Sequence, residues 1–254
     1  MFETHAHYDD PVYDADRREL MAQIERGGVT AVINVSSDIG TAAHAVGLSR
    51  TYGFVRAAAG FHPHCAHKIT EADFDAVSAL AGLSEVVAIG ECGLDYHFEN
   101  TDKKAQIFWF NRQLDLAAET RKPVIIHSRD AENETYEILK SRRNKLSGGV
   151  LHCFSSDAQA ASNYIKMGFF IGVGGIVTFK NAERLAQAVR AIPIEHILLE
   201  TDCPYLSPEP RRGERNSSLN LRFIAEKIAQ IKDMSFDSVV QTTSENARKL
   251  FCLP

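Results

Sequence analysis

What most constrains this chain is an alternation repeated eight times, a short apolar run followed by a longer amphipathic stretch. The runs are Phe2–His7, Ala31–Val35, Val55–Phe61, Val86–Glu91, Val124–His127, Val150–Phe154, Phe169–Val173 and Ile197–Asp202. Most are rich in Val, Ile and Phe, the composition of strands buried on both faces. Between them Ala15–Arg26, Glu71–Leu80, Lys103–Thr120 and Asn181–Ala191 read as helices. In the third of these, Ile107, Phe108, Phe110, Leu114, Ala117 and Ala118 fall on one helix face. Breakers sit between elements: Gly27-Gly28 before the second run, Pro123 opening the fifth, Pro193 before the eighth. Ser217–Ile231 and Ser235–Phe251 read as two closing helices. Eight strand–helix units in 254 residues predict an α/β protein, a single (β/α)8 TIM barrel over residues 1–254. A doubly wound open sheet is the alternative architecture.

Composition narrows the function. A hydrophobic content of 44% and a charged content of 24% are those of an ordinary soluble globular protein. No apolar run is long enough to cross a bilayer, and the N-terminus lacks a basic-then-apolar leader, so a cytoplasmic protein without membrane association is expected. Five scattered cysteines with no Cys-x-x-Cys exclude a disulfide framework and a zinc ribbon. A net charge of −5 argues against non-specific coating of nucleic acid, while leaving room for a local basic loop. No obligate protein partner is implied.

The chemistry lies where the apolar runs end. His5 and His7 close the first and, by strand alternation, point the same way. Glu91 closes the fourth run, His127 the fifth, His152 falls in the sixth and Asp202 closes the eighth. In a (β/α)8 barrel the C-terminal strand ends form one rim, so these six residues are expected to converge there. Four imidazoles and two carboxylates can hold one or two divalent ions. Mixed nitrogen and oxygen donors suit Zn²⁺, Mn²⁺, Fe²⁺ or Co²⁺, with Mg²⁺ a less natural fit. Such ions acidify bound water and polarise the bond under attack. Glu91 can bridge two ions, and Asp202 can ligate while orienting or deprotonating the water, which makes these two the expected catalytic residues.

The series Glu3-Thr-His-Ala-His7, Gly60-Phe-His-Pro-His64, Gly90-Glu-Cys-Gly-Leu-Asp-Tyr96, His127-Ser-Arg129, His152-Cys-Phe154 and Glu200-Thr-Asp-Cys-Pro-Tyr-Leu206 resembles the motifs of the TatD family. Those are metal-dependent nucleases within the amidohydrolase superfamily. The resemblance runs in order from the first residues to about Asn216. It implies a TIM barrel, metal ligands His5, His7, Glu91, His127, His152 and Asp202, and hydrolysis of phosphodiester bonds in DNA from the 3′ end of single strands. Many amidohydrolases of small amides bridge their metals with a modified lysine on a strand. No run here ends in lysine, which favours the nuclease branch. The rival reading keeps the metals and changes the bond: an ester or amide hydrolase, acting for example on D-aminoacyl-tRNA or a small molecule. A third, a binding protein with a dead site, requires the ligand set to fail.

Two departures from the family pattern stand out. Glu3 occupies the place of an Asp, on the His5/His7 face, where it is expected to orient an imidazole. Arg211-Arg-Gly-Glu-Arg-Asn-Ser-Ser218 stands where the family continues Arg-Asn-Glu-Pro. Substrate contacts are expected from His62, Arg129, Tyr205 and Arg215, each set against a structural role. For Arg129 that role is a salt bridge with Asp130 or Glu132, and for Arg215 an exposed surface position. Asp95 and Tyr96 are expected to shape a loop. Cys92, Cys153 and Cys203 each follow a proposed ligand and should face away from it into the core. Gly172-Val-Gly-Gly175 reads as a tight turn, lacking the spacing of a phosphate loop.

Overall fold

A computed structural model of the chain describes residues 1–98 and 101–254. Its strands are β1 (Phe2–Ala6), β2 (Ala31–Val35), β3 (Val55–Ala59), β4 (Val86–Asp95), β5 (Val124–Arg129), β6 (Gly149–Leu151), β7 (Phe169–Val173) and β8 (Ile197–Leu199). They form one sheet in sequential order, and the registered neighbours are parallel. Just past β8 the chain returns to β1: Ala6 bridges Cys203 in parallel, His7 N–H donates to Cys203 O at 2.9 Å, and Asp202 N–H donates to His5 O at 3.0 Å. This is the (β/α)8 barrel that the alternation predicts.

Helices α1 (Arg17–Arg26), α2 (Ile39–Thr51), α3 (Glu71–Ala81), α4 (Lys103–Thr120), α5 (Glu132–Arg142), α6 (Ala158–Ile165), α7 (Glu183–Ala191), α8 (Leu221–Lys232) and α9 (Phe236–Phe251) connect and close the strands. Their starts are written locally. Asp38 and Thr70 form reciprocal capping boxes with Thr41 and Asp73, and Asp102, Asp157 and Ser235 each accept a backbone N–H of the first turn. Among the described residues no helix is long and apolar enough to cross a membrane.

The chain clusters into two compact units, Val35–His152 and the remainder, Met1–Asn34 with Cys153–Pro254. In the first, Val55, Ala57, Ala58, Ile89, Leu114, Ile125 and Ile126 are fully buried. There Lys122 Nζ donates to the carbonyls of Ala81, Leu83 and Val86, satisfying acceptors from the last residue of α3 to the first of β4. In the second, Phe2 stacks on Phe251 of α9 at 6.1 Å, and Asn246 donates to Ile194 O and Ile197 O at the start of β8.

Six strand ends differ from the sequence reading: β1 and β3 stop one and two residues early, at Ala6 and Ala59, β5 runs on to Arg129, and β4, β6 and β8 differ most. β4 does not stop at Glu91 but runs on to Asp95, pairing Cys92, Gly93, Leu94 and Asp95 with Ile126 to Arg129 of β5 after a register shift. Gly93 makes this possible: its φ is +146°, and a Cβ there would lie 1.9 Å from His127 O. β6 and β8 instead end early, at Leu151 and Leu199. Cys153 and Asp202 beyond them have left-handed backbone, φ +47° and +57°.

Candidate metal centre

In the unit containing both termini, β1 and the turn after β8 bring three donors together. His5 Nε2 and His7 Nε2 lie 3.1 Å apart, and Asp202 Oδ1 lies 3.8 Å from the first and 3.3 Å from the second. Two imidazole nitrogens this close share one point in space, which suits a small cation. The alternation of β1 sets the histidine pair, and the left-handed turn at Asp202 sets the carboxylate.

Glu3 lies directly behind this group, wholly buried. Its contacts are not with an imidazole ring. The carboxylate accepts the backbone N–H of His5 at 3.2 Å, the N–H of Thr201 at 2.8 Å and the Thr201 hydroxyl at 2.6 Å. Burial pushes its pKa up to about 8, and the Thr201 and His5 bonds work against that rise. Glu3 therefore positions the backbone under the ligands. The second departure lies close by: the Ser218 hydroxyl shares a 2.8 Å contact with the Tyr8 hydroxyl, and Ser218 N–H donates to the same oxygen.

Cys153 does not face away as strand alternation predicts. β6 has ended and the left-handed φ turns the residue, so its sulfur lies within 4.8 Å of an Asp202 oxygen. Cys92 and Cys203 are fully buried, as core packing requires. Gly172 within β7 and Gly175 just after it make room: a Cβ on the first would collide with the Glu200 carboxylate, and one on the second with Leu206 O.

In the Val35–His152 unit the donors gather around Glu91, which is 3% exposed. Glu91 Oε1 lies 2.7 Å from His127 Nδ1, 3.7 Å from His62 Nε2 and 3.8 Å from His152 Nε2. Asp95, expected from the sequence to shape a loop, instead closes β4 and faces two imidazoles. Its Oδ2 lies 2.9 Å from both His127 Nε2 and His64 Nε2, and its Oδ1 accepts the His97 N–H. The backbone of Asp95 is fixed in turn by Gln106 of α4, which bonds both its N–H and its C=O. A signal was present: once β4 is taken past Gly93, Glu91 and Asp95 fall on one face.

The two imidazoles here are set in opposite states. His127 has a carboxylate on each nitrogen; burial opposes its charge, but Asp95 and Glu91 together hold its pKa up at about 9. Asp95 answers in kind, since the His127 and His97 bonds outweigh its burial and keep its carboxyl well below the usual range. Burial pushes His62 down to about 3, with His127 and His64 working the same way against Glu91. His62 is thus neutral, and its Nδ1 accepts the His64 N–H at 3.1 Å. That assigns its proton to Nε2, making His62 a donor toward Glu91 or toward a bound oxygen. An ion beside Glu91 and the Nδ1 of His127 would replace the proton on that nitrogen. The donor set of buried carboxylate and imidazole fits divalent metal in both groups.

Of the expected substrate contacts, Arg129 ends β5 exposed and without a side-chain ion pair among the described residues; Asp130 pairs with His97 instead, at 2.9 Å. Tyr205 is 54% exposed, its ring 6.3 Å from that of His7 and its hydroxyl on Asp10. Arg215 is held by both carboxylate oxygens of Asp16 and by Val12 O, a pair that would have to open for it to reach a phosphate.

Comparison with known proteins gives the family. The family model described as TatD related DNase matches residues 2–252. A relative from Bacillus subtilis, named "uncharacterized metal-dependent hydrolase YabD", is 40% identical over 251 residues, covering 99% of this chain and 98% of its own. A Citrobacter rodentium relative named "3'-5' ssDNA/RNA exonuclease TatD" is 33% identical over 257 residues, with 99% and 97% covered. Among solved structures, the TatD homologue YJJV from Escherichia coli superposes with a TM-score of 0.95 at 27% identity, covering 100% of this chain and 98% of its own.

Proposed function

The chain belongs to the TatD related DNase family of metal-dependent hydrolases, and from that premise we propose that it is a nuclease removing nucleotides from the 3′ ends of single-stranded DNA. The observation that carries the reading is the pair of imidazole–carboxylate groups, His5–His7–Asp202 and His62–Glu91–His127, with His152 Nε2 3.8 Å from Glu91. Divalent ions (Mg²⁺, Mn²⁺ or Zn²⁺) held by them supply Lewis-acid charge to a phosphate and acidify nearby water.

The chain's own groups do the rest. Asp202, with its side chain 16% exposed beside His7, orients the attacking water and takes its proton. Glu91, nearly closed from solvent, holds charge next to His127. His62 presents its Nε2–H to a phosphate oxygen as a neutral donor. Arg129 offers a guanidinium with no carboxylate partner among the described residues, and Tyr205 lines the approach to His7. The names of the family and of the Citrobacter rodentium relative support DNA as the polymer and the 3′ end as the start. A cytoplasmic setting is part of the same proposal.

The test is degradation of end-labelled single-stranded DNA by metal-stripped protein to which Mg²⁺, Mn²⁺ or Zn²⁺ is returned. Shortening from the 3′ end that depends on metal and disappears in Asp202→Asn and Glu91→Gln is the expected result. Folded, metal-loaded protein that leaves DNA intact would end the nuclease reading and turn attention to aminoacyl esters and amides.

A further inference from the structure

We propose that Phe98, in the turn after β4, is a stacking platform for a nucleobase of the bound single strand. This rests on the nuclease reading above and specifies how that site holds its substrate. A single exposed phenylalanine is ordinary on a protein surface. What sets Phe98 apart is the row of rings it terminates. Starting beside Glu91, the His127 and His62 centroids are 4.5 Å apart, His62 and His64 4.5 Å, and His64 and Phe98 5.4 Å. The row thus runs outward from the metal-type donors and ends in a ring that is 55% exposed.

The geometry leaves Phe98 ready for a parallel partner. Its two aromatic neighbours, His64 and His97, meet it at 62° and 76°, edge against face rather than stacked. Among the described residues no aromatic ring lies flat on it. His64 is braced beneath by Asp95, and His97 by Asp130, both at 2.9 Å, so the platform has a fixed support. Every nucleobase has a π-face, so a ring at this place grips single-stranded nucleic acid whatever its sequence, whereas a paired and stacked duplex offers no free face. Phe98 accordingly holds a base close to the phosphate under attack and contributes the preference for single strands.

The experiment measures kcat/KM for wild type, Phe98→Ala and Phe98→Tyr. The substrates are a single-stranded oligonucleotide and a set in which one abasic residue is stepped through the four 3′-terminal positions. On the intact strand Phe98→Ala should lose about tenfold or more, and Phe98→Tyr should stay near wild type. At one abasic position wild type should fall to the level of Phe98→Ala, and the substitution should have no further effect there. Equal rates for Phe98→Ala and wild type on the intact strand would overturn the proposal. So would a loss that persists undiminished at every abasic position, which would mark a collapsed turn. Both outcomes leave the nuclease reading standing. Wild-type protein that cleaves no oligonucleotide with any metal would remove that reading and the stacking role with it.

Discussion

Two histidines 4.5 Å apart carry opposite charge states because their partners differ, and this difference is testable one residue at a time. His127 is flanked by Asp95 and Glu91, whereas the Nδ1 of His62 faces a backbone N–H. In metal-free protein Asp95→Asn should bring the His127 pKa down from about 9 toward the ordinary imidazole value of about 6.5. The sign for stability follows from linkage. A histidine whose folded pKa lies above its unfolded value contributes stability that is fully present below the unfolded pKa and is lost as pH rises through the folded one. Wild type should therefore lose this contribution between about pH 6.5 and 9, and Asp95→Asn should show a flatter profile there. Nitrogen-detected NMR titration of the ring reads the pKa directly; an unmoved value near 9 would show that Glu91 alone sets it. The sequence displays His127 and His62 openly as strand-end histidines. It conceals Asp95, because a glycine two residues earlier reads as the end of a strand.

Glycines at the level of the element differ in what surrounds them, and two substitutions separate the cases. Gly93 sits in β4 at φ +146°, with the His127 carbonyl where a Cβ would go. Gly93→Ala should destabilise by about 3 kcal/mol or more, since neither backbone can yield without breaking the β4–β5 register. Gly47 lies on the exposed face of α2 with nothing within 4 Å of a built Cβ. Gly47→Ala should stabilise by about 0.5–1 kcal/mol, by lowering the entropy of the unfolded chain. Denaturant unfolding of both variants checks the pair, and equal effects would refute the distinction. The same contrast explains which elements were legible. β2, β7 and α4 match their sequence-read bounds because apolar runs and a capping Asp102 define them. β4, β6 and β8 do not, because their ends depend on left-handed or close-packed backbone at Gly93, Cys153 and Asp202, which hydrophobic patterning does not encode.

For the whole molecule, the alternation along the chain and the strand-end ligands pointed to the barrel before any contact was known. Packing decides what those ligands do to stability. Buried like-charged and neutral donors that converge without a cation work against folding, and a bound ion converts the same groups into a stabilising set. A ligand that binds only the folded state at 100 times its Kd adds about 2.7 kcal/mol. For a chain of this size that corresponds to a rise in Tm of about 5–10 °C per ion. Chelator-treated protein should therefore melt lower than protein given Zn²⁺ or Mn²⁺, and the increment should return on titration. Because His5, His7 and Asp202 form one three-donor group and His62, Glu91 and His127 another, Asp202→Asn and Glu91→Gln should each remove part of the increment rather than all of it. Differential scanning calorimetry across the four combinations of metal and variant, for each variant against wild type, reads this without any assay of catalysis. No metal-dependent rise in wild type would show that these groups do not hold an ion, whatever substrate the protein cleaves.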